Sequence, residues 1–352
     1  MTEAPSAPGA PVRGRESHSS DPPCYGALDL GTNNCRLLIA TPSGSGGFRV
    51  IEAYSRIVRL GEGLSQSGRL SEDAMERALA ALKVSAEKVR RRRVLRLRAI
   101  ATQACRMAEN GQAFIERVAT ETGLQLQIIS PQEEARLSVA GCLNLIDRTA
   151  DAALVVDVGG GSTELSWVDL KGAPPTGTPP LRAWLSVPIG VVTLAERFPE
   201  GEAATPGWFR EMVEAMKAEI AAFPRADGLR EVFDADRAHL IGTSGAITSL
   251  AGLHLDLPRY DRSRGDCSWR TRGECDAATN RLLALSPQGR AGHACIEPDR
   301  PDLLRSRARR GGLLRRPPPR APRRRSRLGA GGPGPRASGR GGRRHRLRLS
   351  AE

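Results

Sequence analysis

The chain has 352 residues, enough for two domains with cores of their own. Its net charge of +14 points at first to a nucleic-acid binder, but 17 arginines and one acid lie beyond residue 304, which leaves −2 for everything before them. Seven cysteines without a C-x-x-C pair argue against a disulfide framework, no run of about 18 apolar residues argues for a membrane span, and no apolar leader is evident, so the expected location is the cytoplasm.

Residues 1–22, rich in Pro, Ser and Gly, are expected to be disordered. "CYGALDLGTNNCRLLIA" (24–40) predicts a strand, a tight polar turn and a second strand, and "FRVIEAYSRIVRL" (48–60) continues in extended form. "SEDAMERALAALKVSAEKVRRRR" predicts a helix, because Met75, Leu79, Leu82, Ala86 and Val89 recur at steps of four and three. Acids open this helix and arginines close it, so the Arg90–Arg93 run reads as a solvated helix end matched to the dipole rather than a nucleic-acid patch. A strand and loop follow in "VLRLRAIATQACR", then a helix over 110–122 and a short strand in "LQLQIIS". "SPQEEARLSVAGCLNLI" opens a further helix, with Ser130 as N-cap, Pro131 at its first position and Glu133 three residues after the serine. A first domain over 23–150 is expected.

The second domain is expected over 151–304. "ALVVDVGGGSTELSWV" (153–168) reads as strand, glycine turn and strand; "RAWLSVPIGVVTLAERF" as strand, loop and helix; 206–223 as a helix; and "AHLIGTSGAITSLAGLHL" as strand, glycine loop and helix. Strands alternating with helices define an α/β fold. After residue 304, Arg, Gly and Pro supply 32 of 48 residues, so residues 305–352 are expected to form a disordered basic tail without functional nucleic-acid binding. With 49 Arg against 4 Lys the coding DNA is read as GC-rich, and the tail has the composition of such DNA translated out of frame. "RGDCSWR" (264–270) has a similar look.

Two turns carry the chemistry: "LDLGTNN" (28–34) and "VDVGGGSTE" (156–164). Each follows a strand ending in an aspartate. A concave row of backbone N–H groups is an anion site, and glycine lets a ligand approach it closely. Gly31, Thr32 and Asn33 in the first turn, and Gly159, Gly160, Gly161, Ser162 and Thr163 in the second, are therefore candidate phosphate contacts. Asp29, Asp157 and Glu164 would repel a phosphate, unless a hard divalent cation such as Mg²⁺ bridges carboxylate and phosphate oxygens. Neither turn fits the dinucleotide or P-loop patterns. The glycine loop "GTSGA" adds Gly242, Ser244 and Gly245 as a secondary binding loop. His239, His254 and His293 have no partners at a recognisable ligand spacing.

The two turns resemble the phosphate loops of the acetate kinase/sugar kinase/heat-shock chaperone/actin superfamily. With "RIVRLGEGL", "AIATQACRMAENG", "IISPQEEARLSVAG", "PIGVVTLAERF" and "LIGTSGAITSLAGL", in that order over about 24–260, the sequence is similar to the exopolyphosphatase/guanosine pentaphosphatase (Ppx/GppA) family. The resemblance implies two ribonuclease-H-like (actin-like ATPase) domains facing a cleft. It also implies a Mg²⁺-dependent phosphohydrolase acting on inorganic polyphosphate or pppGpp, and a possible homodimer. Arg106 matches the arginine of the family's A-T-x-A-x-R segment and is the expected cation. Glu134, directly before the alanine of E-E-A-x-L, is the expected base. The capping register favours it too, since Ser130-x-x-Glu133 gives Glu133 a structural task. A small-molecule kinase of the same superfamily and a polyanion binder working through its tail are the competing readings. The family's D-R-G-x-R-E-G-like segment is not found after residue 304.

Overall fold

The computed structural model describes residues 22–44, 47–173, 177–201, 205–257, 268–286, 289 and 346–349. The first sheet starts from a hairpin of β1 (Tyr25–Leu30) and β2 (Asn34–Pro42), extended antiparallel by β3 (Phe48–Ile57). On β2, Cys35, Leu37, Ile39 and Thr41 are buried on one face, as a period of two requires. On the other side of β1 lie β4 (Arg96–Ala101) and the short β5 (Gln127–Ile128), both parallel, giving the order β3-β2-β1-β4-β5. Beyond β3, α1 (Leu64–Ser67) is a single turn, and α3 (Gln103–Met107) directly follows β4. The core is closed by α2 (Glu72–Arg91) and α4 (Gly111–Thr122), whose Leu79, Leu82, Phe114 and Val118 are almost wholly buried. Ser71 caps α2 by accepting the Ala74 N–H at 3.3 Å.

The second sheet repeats this plan. β6 (Ala152–Val158), β7 (Thr163–Asp169) and β8 (Leu181–Val187) form an antiparallel meander, and β9 (Ala238–Thr243) lies parallel to β6. Around it are α5 (Pro131–Gly141), α6 (Val191–Arg197), α7 (Pro206–Ile220), α8 (Ala226–Asp234) and α9 (Gly245–His254). Later come β10 (Ser268–Thr271), α10 (Arg272–Leu283) and β11 (Arg346–Leu349). The order is β10-β11-β9-β6-β7-β8, so β11 sits where β5 sits in the first sheet.

Two expectations change. The tail is not structureless throughout: the R-L-R-L alternation of Arg346–Leu349 has the period of a strand, and it pairs with both β9 and β10. Residues 1–21, 305–345 and 350–352 lie outside the described residues, as does 264–267 of the "RGDCSWR" stretch. The place of α5 also differs. Val139 of α5, with Cys142, Leu145 and Ile146 after it, packs on Ala153, Val155 and Val168 of the second sheet. α5, expected within the first domain, therefore packs on the second sheet. Among the described residues, no helix is long and apolar enough to cross a membrane.

The arginine-rich end of α2 is occupied. Lys88, Arg91 and Arg92 converge on Glu52 of β3, with the Arg91 and Arg92 contacts at 2.9 and 2.7 Å. Lys88 and Arg92 foremost hold the Glu52 carboxyl down at about 2. A depressed carboxylate adds stability above its ordinary range and loses it as the pH falls through the folded-state value. Glu52→Gln is expected to cost roughly 1 kcal/mol at neutral pH, after allowing for solvent screening of the arginines. The difference from wild type should shrink between about pH 5 and pH 2, as followed by urea denaturation.

Candidate active site

The two glycine turns are copies of one another. In each, an aspartate near the end of the first strand is followed by a turn and a return strand. The Gly31 N–H donates to the Asn34 carbonyl and the Gly159 N–H to the Ser162 carbonyl, both at 2.9 Å. Asp29 pairs across the hairpin with Arg36, and Asp157 with Glu164. The N–H groups of Thr32, Asn33, Gly160 and Gly161 have no acceptor among the described residues. Unspent amides on two facing turns form an anion cradle.

The turns meet across the cleft. A Cβ on Gly160 would stand 3.0 Å from the Asn33 nitrogen, and one on Gly161 would stand 2.7 Å from the Thr32 hydroxyl. Glycine is required there for close approach of two backbones. The first turn is held from behind: the Asn33 carbonyl accepts from the Val58 and Arg59 N–H groups, and the Thr32 carbonyl from the Gly61 N–H. This is the structural task of the "RIVRLGEGL" stretch.

Between the turns lies a cavity of about 470 Å³. Four carboxylates line it: Asp29, Glu134, Asp157 and Glu164. Burial, followed by the charge of Glu164, pushes Glu134 up to about 8 despite Arg106. Burial raises Glu164 to about 6 against hydrogen bonds from Ser186 and Ser162, and raises Asp29 to about 6 against the Arg36 charge. Asp157 is also raised by burial, opposed by hydrogen bonding that includes Ser138 at 3.2 Å. Ser138 stands one helical turn after Glu134, so α5 presents both to the cleft. An Asp29 carboxylate oxygen and the Thr32 hydroxyl are buried without any hydrogen-bond partner.

The adjacent glutamates of α5 diverge. Ser130 accepts the Glu133 N–H at 3.2 Å, which is half of the expected capping box. The Glu133 carboxylate does not return to the cap; it pairs with Arg98 at 2.7 Å. Glu134 turns inward, and both arginine nitrogens of Arg106 donate to its Oε2 at 3.1 Å. The pair is well shielded, with side chains 17 and 18% exposed. Arg106 also donates to the Ile129 carbonyl at 2.8 Å and to Gln103 Oε1 at 2.5 Å. Its guanidinium is thus committed to the protein, and it does not line the cavity.

Of the other expected contacts, Gly31, Thr32, Asn33, Gly159, Gly160, Gly161 and Ser162 line the cavity, as do Ser244 and Gly245 at the start of α9. Ser244 adopts φ 83°, a costly conformation for a side-chain-bearing residue, with its hydroxyl donated to the Val158 carbonyl. Two expectations fail. Thr163 is buried and donates its hydroxyl to the Ile189 carbonyl at 2.6 Å. Gly242 lies inside β9, where a Cβ would strike Ile247 at 2.9 Å, so its role is packing. Among the described residues, no three His, Cys, Asp or Glu side chains are grouped to hold a metal by themselves. His239 and His254 do not line the cavity, and His293 lies outside the described residues.

Sequence reasoning passed over Arg36 and Gln103. Arg36 lines the cavity, its side chain has no hydrogen bond or ion pair among the described residues, and a Cβ on Gly245 of the opposite domain would stand 4.0 Å from its guanidinium. The signal was present: aligning the two turns at their aspartates puts Arg36 at the position of Glu164. Gln103 had no such signal, since nothing in "ATQACR" marks which side chain turns inward.

The sequence profile of the Ppx/GppA phosphatase family matches residues 39–259. Among solved structures, an exopolyphosphatase-like protein shares 30% identity at a TM-score of 0.67, covering 78% of this chain and 83% of that one. The Ppx/GppA family member from Aquifex aeolicus shares 26% identity at 0.61, covering 79 and 84%. An exopolyphosphatase from Cytophaga hutchinsonii ATCC 33406, 22% identical over 78 and 84%, shares the fold at 0.67. The duplicated sheets, the facing turns and a profile match over more than half of the sequence lead to one conclusion: this chain belongs to the Ppx/GppA phosphatase family.

Proposed function

We propose that this protein is a Mg²⁺-dependent phosphohydrolase that removes the terminal phosphate from inorganic polyphosphate or from pppGpp. The observation that carries the reading is Glu134. One of its oxygens is pinned by Arg106, and the other has no partner among the described residues and belongs to the same cavity as both anion-binding turns. The free amides of the turns and the Arg36 guanidinium hold the terminal phosphate oxygens. The oxygen of a water bonds to the terminal phosphorus while its proton passes to Glu134. The bridging P–O bond breaks, its electron pair stays with the shortened chain, and inorganic phosphate leaves.

Asp29 and Asp157, with Glu164 beside them, would be the oxygen donors for Mg²⁺. The unpartnered, buried Asp29 oxygen fits a hard cation, and Mg²⁺ needs only one or two carboxylates when phosphate and water complete its shell. When bound, the ion supplies the positive charge that lets carboxylates and phosphate share the cavity. Release of inorganic phosphate from polyphosphate and from pppGpp, side by side and with no acceptor present, tests the reading. Turnover that requires an acceptor would identify a kinase instead. Salt-sensitive binding without turnover, lost with the basic tail, would identify a polyanion binder.

Glu134→Gln should lower hydrolysis by about 10²–10⁴ while substrate still binds. Glu133→Gln should change the rate little and lower stability by less than about 1 kcal/mol, because its partner Arg98 is exposed. Normal turnover by Glu134→Gln removes the assignment. Asp157→Asn should raise the Mg²⁺ concentration needed for half-maximal rate, and equal turnover in chelator would rule out the cation. A base works ionised, so kcat/KM should rise with pH, with a midpoint near 8 at limiting cation. Saturating Mg²⁺ should move that midpoint down, because a cation beside the carboxylates favours their charged forms.

A further inference from the structure

Gln103 opens α3 directly after Thr102, and it lines the cavity between the two domains. Its stem crosses the seam: a Cβ on Gly161 would stand 3.0 Å from Gln103 Cγ. The amide group at its end has a fixed orientation. Arg106 Nη2 donates to it at 2.5 Å, and a guanidinium only donates, so the amide oxygen must face Arg106 and the NH2 must face away. The same guanidinium holds Glu134, so one rigid, planar group aligns both side chains. The Gln103 NH2 makes no hydrogen bond among the described residues, and it is not a buried, unsatisfied group. It is a donor left open to the cavity.

We infer that Gln103 is a positioning residue for the attacking water, a role that rests on the hydrolytic reading of the site. A water accepting from the Gln103 NH2 and donating to the free oxygen of Glu134 is fixed in place and in orientation. Its remaining lone pair is then free for the terminal phosphorus, while the proton it loses is already hydrogen-bonded to the base. Loose phosphoryl-transfer transition states leave the protein little to do except position and stabilise charge, so aligning the nucleophile is a direct contribution. Arg106 is the support of this arrangement: it fixes the base and the donor at once and leaves phosphate binding to Arg36.

Two substitutions of similar size separate this role from a structural one. Gln103→Met removes the NH2 donors and the contact to Arg106. Gln103→Glu keeps an oxygen for Arg106, removes the donors and adds a negative charge to a cavity that already holds four carboxylates. Gln103→Met is expected to lower kcat for phosphate release about 10- to 100-fold with KM within about threefold, and Gln103→Glu to lower kcat at least as far. Both should retain a rising pH limb, because Glu134 is intact. If Gln103→Glu turns over like wild type, the contact to Arg106 suffices without the donors, and the inference fails. It fails equally if Gln103→Met keeps the wild-type kcat, or if its loss appears in KM alone. Wild-type protein that releases no phosphate from either substrate overturns the hydrolytic reading and this role together. Wild-type turnover matched by both variants overturns the role of Gln103 alone.

Discussion

Four carboxylates share one cavity, and the rest of the structure answers that constraint. Asp29, Glu134, Asp157 and Glu164 arrive from β1, α5, β6 and β7, and burial makes each harder to ionise. Like charges in a cleft cannot all ionise without compensation. The protein offers only part of it: Arg106 against Glu134, Ser138 against Asp157, and Ser186 against Glu164 at 2.7 Å. The Asp29 oxygen has the Arg36 charge but no hydrogen bond. A ligand that brings positive charge to these carboxylates and takes up the free amides would stabilise the folded chain by mass action.

Duplication explains how a small chain assembles such a site. Two sheets that share an order over five strands place two turns of the same hydrogen-bonding pattern opposite each other, so each contributes an aspartate and a row of amides. The copies differ at one telling register position. Arg36 in the first hairpin stands where Glu164 stands in the second. The cleft is therefore electrically uneven, with a free cation from one domain and an extra carboxylate from the other. In the proposed reaction a phosphate oxygen and a metal ion have opposite preferences, and this unevenness would give each a side.

The sequence made most of this legible where a local rule was strong. The hairpin turns, the α2 stripe from Met75 to Val89, and the Ser130-Pro131 helix start all appear where pattern and capping place them. What remained hidden depends on tertiary context. Thr163 and Gly242 sit in glycine-rich motifs, yet one hydroxyl is spent on Ile189 and the other residue is a packing contact for Ile247. Glu133 satisfied a capping pattern, but Arg98, brought near by β4, takes its carboxylate. The packing of α5 was hidden because it directly follows the first sheet's last strand and yet packs on the second. The four-residue β11 was lost in a composition that otherwise forbids a core.

That placement of α5 has a mechanical consequence. Glu134 is carried by the second sheet's side, whereas Arg106, which pins it, belongs to α3 beside the first. A second strap lies at Glu196 of α6, which accepts from the Gly63 N–H at 2.9 Å and the Ser65 hydroxyl at 2.5 Å. The glycine seam between the turns makes a third contact across the cleft. Parting the domains would break the Arg106–Glu134 pair, release the Glu196 strap and separate the amides at once. The orientation of Glu134, the orientation of Gln103 through Arg106, and the spacing of the free amides are therefore coupled to a single geometric variable, the closure of the two sheets on each other.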